Sequence, residues 1–169
     1  MIKQNDKEEF LKLIDEHKLI IYKICNSYCK NAHDRDDLAQ EITYQLWRSF
    51  NHFNGSVKFS TWMYRVALNV AISFYRKSVK DEPVIALSEE HIAFADSPSN
   101  KTELEQNIDR LQQLISELKE LDKALMILYL EERPYSEIAE ILGITETNVA
   151  TRIGRAKEKL KQKFSNSNN

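Results

Sequence analysis

Turn-making residues are scarce in this chain: three glycines (Gly55, Gly143, Gly154) and three prolines (Pro83, Pro98, Pro134) serve 169 residues. All-β architectures need such residues at every reversal, so sandwiches and barrels are excluded. Leu, Ile, Glu and Lys fill much of the rest, and these are good helix formers. The predicted class is therefore all-α, with no strands. Cysteine is nearly absent too. Cys25 and Cys29 stand one helical turn apart, with only His33 near enough to join them, which is too few ligands for a zinc site. Both are expected to be reduced side chains on or in a helix. No apolar run approaches the roughly 20 residues that a membrane span needs. The opening MIKQNDKEEF is polar and acidic, without the apolar stretch of a signal peptide. A cytoplasmic location without membrane insertion is expected.

An excess of positive charge is also missing, since the formal net charge is −2. The distribution matters more than the average. Residues 1–80 carry 13 basic and 9 acidic side chains, residues 81–103 carry 1 and 6, and residues 145–163 carry 6 and 2. Two basic segments separated by an acidic one can hold a DNA footprint on a protein with an acidic mean. Because phosphate neutralisation supplies most non-specific affinity, such a chain needs a larger partner on DNA.

Organisation follows from periodicity. Phe10, Leu13, Ile14, Ile20, Ile21, Ile24 and Tyr28 fall mostly at three- and four-residue steps, predicting amphipathic helix up to a break at 31–34. Asp34 or Asp36 is placed to cap a helix through Phe50, and Ser60 or Thr61 a long one to about Arg76. NHFNGSVKFS between them reads as a loop. DEPVIALSEEHIAFADSPSNKTE has two prolines, several serines and no helical period, the mark of a linker. Beyond it, Leu104, Ile108, Leu111, Leu114, Ile115 and Leu118 form one apolar stripe, and Ala124 to Leu130 a second helix. Two compact helical domains are expected, 7–80 and 104–164, joined by a linker at 81–103.

YSEIAEILGITETNVATRI has helix-turn-helix spacing. With Tyr135 as the first position, Ala139 takes the fifth, where two helices cross closely. Gly143 takes the ninth, where the turn needs positive φ, and Val149 the fifteenth, facing the first helix. Ile138, Leu142 and Ile144 complete a small core, with Ser136 and Thr145 placed as N-caps. The second helix then offers Glu146, Thr147, Asn148, Thr151, Arg152 and Arg155 to a major groove and its flanking phosphates. The lysines from Lys157 to Lys163 read as a solvated tail.

On a helical wheel of residues 61–77, Met63, Val66, Ala67, Val70 and Phe74 share a core face, and Tyr64, Leu68, Ala71 and Tyr75 cover another. Trp62, Arg65, Asn69, Ser73 and Arg76 remain as a narrow stripe. Aromatic, guanidinium and amide groups in line suit single-stranded DNA, where bases stack and cations follow phosphates. The same spacing also fits a buried tryptophan beside a solvated arginine. The preceding helix buries Leu38, Ile42, Leu46 and Phe50 and leaves Gln40, Glu41, Tyr44, Gln45 and Arg48 outside.

Catalysis finds no foothold. His17, His33, His52 and His91 are scattered, E-x-x-H spacing is absent, and no glycine-rich phosphate loop occurs. No catalytic residue, metal or cofactor is expected. A stand-alone helix-turn-helix regulator, with residues 7–80 as sensor or dimerisation domain, leaves the aromatic stripe without a purpose. A pure interaction module would not need a DNA-reading helix.

DDLAQEITYQLWRSF, FNGSVKFSTWMYRVALNVAISFYRK and YSEIAEILGITETNVATRIGRAKEKL, in that order, resemble an extracytoplasmic-function sigma factor over nearly the whole chain. The resemblance implies a sigma region 2 helical bundle and a sigma region 4 helix-turn-helix. It implies an alternative sigma factor that binds core RNA polymerase and directs promoter recognition, strand opening and transcription initiation. Asp37, Gln40, Glu41, Tyr44 and Arg48 match the segment that binds the β′ clamp helices. Phe53, Asn54, Lys58 and Phe59 match the loop that captures a flipped base of the minus-ten element, and Trp62, Arg65 and Asn69 the helix that melts and reads it. The helix from Thr145 matches the reader of the minus-thirty-five element, and the linker the segment threaded through the RNA exit path. The β and β′ subunits, promoter DNA and an anti-sigma factor are the implied partners. Ala150 and Gly154 stand where relatives often carry an arginine and a bulky residue, so the preferred promoter sequence is left open.

Overall fold

The computed structural model describes residues 4–81 and 101–166. Eight α-helices and one 3-10 turn account for nearly all of them, and no strand occurs among the described residues. The first group is α1 (Gln4–Glu16), α2 (Lys18–Tyr28), α3 (Ala32–Ser49), the 3-10 turn Phe50–His52 and α4 (Phe59–Asp81). The second is α5 (Glu103–Ser116), α6 (Glu120–Leu130), α7 (Tyr135–Leu142) and α8 (Glu146–Asn166).

Several helix ends differ from the sequence expectation for local reasons. The apolar series from Phe10 to Tyr28 is split at His17, whose backbone N–H and ring Nδ1 both lie on the Leu13 carbonyl at 3.1 and 2.9 Å. Helix α3 starts at Ala32, ahead of Asp34 and Asp36, because Asn31 is the cap. Its Oδ1 accepts from the Asp34 N–H at 2.8 Å, and its amide donates to the Asp34 carboxylate. Neither Ser60 nor Thr61 caps α4, which starts at Phe59; both hydroxyls bond to the second group instead. Helix α4 also runs five residues past Arg76 to Asp81. Asp81 and Glu103 thus belong to helices, and residues 82–100 of the expected linker lie outside the described residues.

In the second group, Thr102 caps α5 through a capping box with Glu105. Ser136 is not a cap: Pro134 ends the extended segment and its carbonyl receives the first N–H groups of α7. Thr145 does cap α8, accepting from the Asn148 N–H at 3.1 Å. Gly143 has φ +68°, as the turn requires.

Helix α4 is buried on two sides. Met63, Tyr64, Ala67, Leu68 and Ala71 are sealed, whereas Val66, Val70 and Phe74, expected in the core, are only half-buried. The cause is packing: α4 lies against α2 and α3 and also against α6 and α7, so its second apolar face is covered by the second group. One apolar core therefore runs through both groups, from Ile24, Leu38 and Ile42 to Leu125, Ile138 and Ile153. A smaller core of Leu114, Ile115, Leu118, Met126, Ala156 and Leu160 joins α5, α6 and α8. Cys25 and Cys29 are buried free thiols, and burial pushes them up to about 12 and about 11.

Candidate nucleic-acid and polymerase interfaces

Three surfaces carry the residues singled out from sequence. The first is the outer face of α3. Leu38, Ile42 and Leu46 point inward and are fully buried, which by helical periodicity turns Asp37, Gln40, Glu41, Tyr44 and Arg48 outward. All five are exposed. Gln45 donates to Glu41 at 2.9 Å and His33 approaches Asp37 at 3.5 Å. Between α1 and α3 lies an open, mostly apolar groove of about 680 Å³, lined by Phe10, Leu11, Gln40, Tyr44 and Trp47 among others. Leu11 and Tyr44 are 55% and 56% exposed, so both offer apolar surface to this groove. Sequence reasoning missed the α1 wall of this groove. Leu11 follows the core residue Phe10, so its period placed it outside without giving it a neighbour.

The second surface is the loop and start of α4. Phe50, Phe53, Phe59 and Trp62 form one aromatic cluster, with Phe53 at 5.5 Å from Phe59 and 5.2 Å from Trp62 between ring centroids. Trp62 is half-buried: one side packs in this cluster and the rest is open, so neither simple reading of it is complete. Phe59 is 9% exposed and also meets the His17 ring, which makes it a support of the loop in this state. Asn54 and Lys58 are exposed on the loop, where Asn54 accepts from the Ser56 N–H and Gly55 takes φ +74°. Asn69 is exposed, two turns beyond Trp62 on α4. Arg65 is not free: it donates to the Glu140 carbonyl at 3.0 Å and faces the Glu140 carboxylate at 3.6 Å.

The third surface is the start of α8. Val149, Ile153, Ala156 and Leu160 are buried, and Glu146, Thr147, Asn148, Thr151 and Arg155 are exposed. Arg152 sits half-buried, donating to Asn148 at 3.1 Å and to Asp122 on α6 at 3.4 Å. Gly154 is exposed, with open space where a Cβ would lie.

A polar seam between the two groups was not anticipated. Thr61 donates to Glu137 at 2.7 Å, and Arg133 bonds both Glu137 and Ser60 while lying over the Tyr64 ring. Burial would raise the Glu137 carboxyl, but the bonds from Thr61 and Arg133 outweigh it and hold the group below the usual range. Arg76 pairs with Glu120, Lys23 with Glu131, and the Tyr28 hydroxyl donates to the Glu120 carbonyl at 2.5 Å. Lys123 is 2% exposed, its ammonium 5.2 Å from the Tyr28 ring and 4.6 Å from the Tyr75 ring. Desolvation, then Lys30, lowers its pKa. A lysine inside the apolar run of α6 was the one sign of this seam in the sequence.

Residues 13–80 match the family model of Sigma-70 region 2, and residues 108–160 that of Sigma-70 region 4. The chain is 29% identical to the ECF RNA polymerase sigma factor SigW of Bacillus subtilis over 173 residues, 96% of this chain and 92% of that one. It is 30% identical to the RNA polymerase sigma factor SigV of the same organism over 155 residues, 91% and 90% of the two chains. Among solved structures, its fold resembles CnrH in complex with the cytosolic domain of CnrY (TM-score 0.66, 19% identity, 94% and 89% covered). It also resembles the sigma factor RpoE in complex with the anti-sigma factor NepR from Bartonella quintana (TM-score 0.68, 18% identity, 95% and 96% covered).

Proposed function

Since the chain belongs to the extracytoplasmic-function family of RNA polymerase sigma factors, we propose how its three surfaces divide the family's work. As a sigma factor it binds core RNA polymerase and directs promoter recognition, strand opening and transcription initiation. In this reading residues 7–80 bind polymerase and the minus-ten element, 81–103 link, and 104–164 bind the minus-thirty-five element. Asp37, Gln40, Glu41, Tyr44 and Arg48 meet the β′ clamp, with Leu11 and the apolar groove beside them. Phe53, Asn54, Lys58, Phe59, Trp62, Arg65 and Asn69 hold the unpaired strand. Glu146, Thr147, Asn148, Thr151, Arg152 and Arg155 read the upstream duplex.

The observation that carries the reading is the sidedness of α8. Its apolar residues are spent on α5, α6 and α7, while Glu146, Thr147, Asn148, Thr151 and Arg155 open to solvent just after the Gly143 turn. A helix so mounted enters a major groove with its N-terminal residues first. The protein works in the cytoplasm and performs no catalysis of its own; no described helix is long and apolar enough to cross a membrane. The complex of the sigma factor RpoE with the anti-sigma factor NepR motivates an anti-sigma factor for this chain as well.

Reconstitution with core polymerase on a library of randomised upstream DNA tests the assignment. Transcripts should arise from templates sharing two fixed sequence blocks, and the upstream block should change when residues 146–155 are altered. Initiation no more selective than that of core polymerase alone would overturn it.

A further inference from the structure

We propose that Asp122 on α6 sets which base Asn148 reads, acting through Arg152, so that part of the upstream specificity is tuned from a neighbouring helix. The inference rests on the assignment of α8 to duplex and names the chemistry of that reading. Asn148 is the third residue of α8, on the end that enters a groove first. Its backbone N–H is taken by the Thr145 hydroxyl at 3.1 Å, and the residue stands exposed. Arg152 lies one turn further on and donates from Nε to the Asn148 side chain at 3.1 Å. A guanidinium carries N–H donors and no acceptor, so the amide atom facing it must be Oδ1, and the NH2 group turns away. The far end of the guanidinium is tethered. Its Nη1 donates at 3.4 Å to the carboxylate of Asp122, half-buried in the first turn of α6 where that helix packs on α8. A long cation that would otherwise reach for phosphate is thus drawn back from the groove, and it orients a neutral amide instead.

This changes what Asn148 can recognise. An asparagine with its whole amide available pairs bidentately with adenine, accepting from N6 and donating to N7. Here Arg152 takes one lone pair of Oδ1 and sets a positive charge beside the other, so a second donor, the adenine N6–H2, is repelled from that oxygen. The two N–H donors of the amide remain, strengthened by the polarising cation. They fit an edge made of acceptors alone, and guanine offers two adjacent ones, N7 and O6. Asn148 is therefore a reader of guanine, while Arg152 and Asp122 are positioning residues that need not touch a base.

The test is selection by the reconstituted holoenzyme from templates with a randomised upstream element, sequenced after binding. Asn148→Ala locates the position, as the one where selection flattens, and the wild type should favour guanine there. Arg152→Met keeps the apolar stem, removes the donors and frees Oδ1. It should lower the guanine-to-adenine ratio at that position on the order of tenfold. Asp122→Ala should move the same ratio in the same direction by a smaller factor. In an Asn148→Ala background neither substitution should alter base preference there. A merely structural ion pair would change stability or overall affinity and leave this ratio alone. Should Asp122→Ala lose its helical circular dichroism, Asp122→Asn takes its place. Adenine preferred by the wild type, no position flattened by Asn148→Ala, or an unchanged ratio in the folded Arg152 and Asp122 variants would each overturn the proposal. So would an Arg152→Met effect that persists without Asn148, since Arg152 would then be the reader itself. Arg155→Ala separates this from the underlying assignment. Upstream selection that responds to Arg155→Ala but not to the other variants overturns the inference alone, whereas selection indifferent to every one of them removes α8 from the duplex and overturns both.

Discussion

The two helices assigned to DNA are mounted in opposite ways. Helix α8 buries one narrow stripe and leaves most of its polar row to solvent, though Arg152 is drawn back to Asp122, whereas α4 is enclosed on two sides and both Arg65 and Arg76 are engaged by glutamates. The difference follows the chemistry each is assigned. A duplex presents its groove edges at all times, so a reader of duplex can stand exposed. An unpaired strand exists only after melting, and a permanently open aromatic and cationic stripe would bind any single strand it met. Engaging Arg65 with Glu140 and Arg76 with Glu120 reduces that liability, and the shared apolar core couples those contacts to folding.

The strongest way to break this contrast is to weaken the support of α8 and watch α4. Ile153 is 1% exposed and lies in the core that spans both groups. Ile153→Ala should cost about 2–5 kcal/mol, the range for emptying such a site. Both tryptophans, Trp47 and Trp62, belong to the first group. Denaturation followed by tryptophan fluorescence should therefore shift along with circular dichroism. A shift in circular dichroism alone would mean that the groups unfold independently and the seam contributes little to either.

A second pair of substitutions sharpens the contrast at the level of function. Trp62→Ala should remove stacking of about 1–3 kcal/mol that exists only once a base has left the duplex. Capture of duplex promoter should survive while thymine reactivity in the opened region falls, and a premelted template should rescue the variant. Arg155→Ala on α8 should do the reverse. A loss of about 1–3 kcal/mol confined to particular promoters marks a base contact, and a uniform loss with a salt slope lower by about one marks a phosphate contact. No change in promoter use by Arg155→Ala would remove α8 from the duplex.

Much of this was legible in the sequence because it depends on spacing. Helical class, the Gly143 turn, the burial of Ala139 and Val149, and the exposed faces of α3 and α8 all follow from one period and a few obligatory side chains. Helix starts were less legible where several capping residues compete: Asn31, Asp34 and Asp36 are all competent, and only local bonding selects the first. Tyr64 and Leu68 read as a separate apolar side, but nothing in their spacing says what covers them. The seam was the least legible part. Glu120, Glu137 and Glu140 are ordinary helix-surface residues by pattern, and their partners lie 44 to 76 positions away.

The smallest expected effect concerns two glycines that bracket the start of α8. Gly143 has φ +68°, where a side chain is strained whatever the space around it, so Gly143→Ala should destabilise the turn. Gly154 is helical and exposed, with nothing within 4 Å of an added Cβ. Glycine costs about 0.8–1.0 kcal/mol relative to alanine in a helix interior, so Gly154→Ala should stabilise the free protein by roughly that amount. Thermal or urea unfolding measures it, and an absent gain would mean that the helix near 154 is constrained by something other than its own propensity. The same variant probes how closely DNA approaches. Gly154 lies between Arg152 and Arg155, one turn beyond the leading polar row, where α8 begins to leave a groove entered by its N-terminus. A methyl group there should leave promoter affinity unchanged. Weaker promoter binding by a more stable protein would show that DNA packs against bare backbone at 154, and would place the docking of α8 deeper than its exposed side chains alone require.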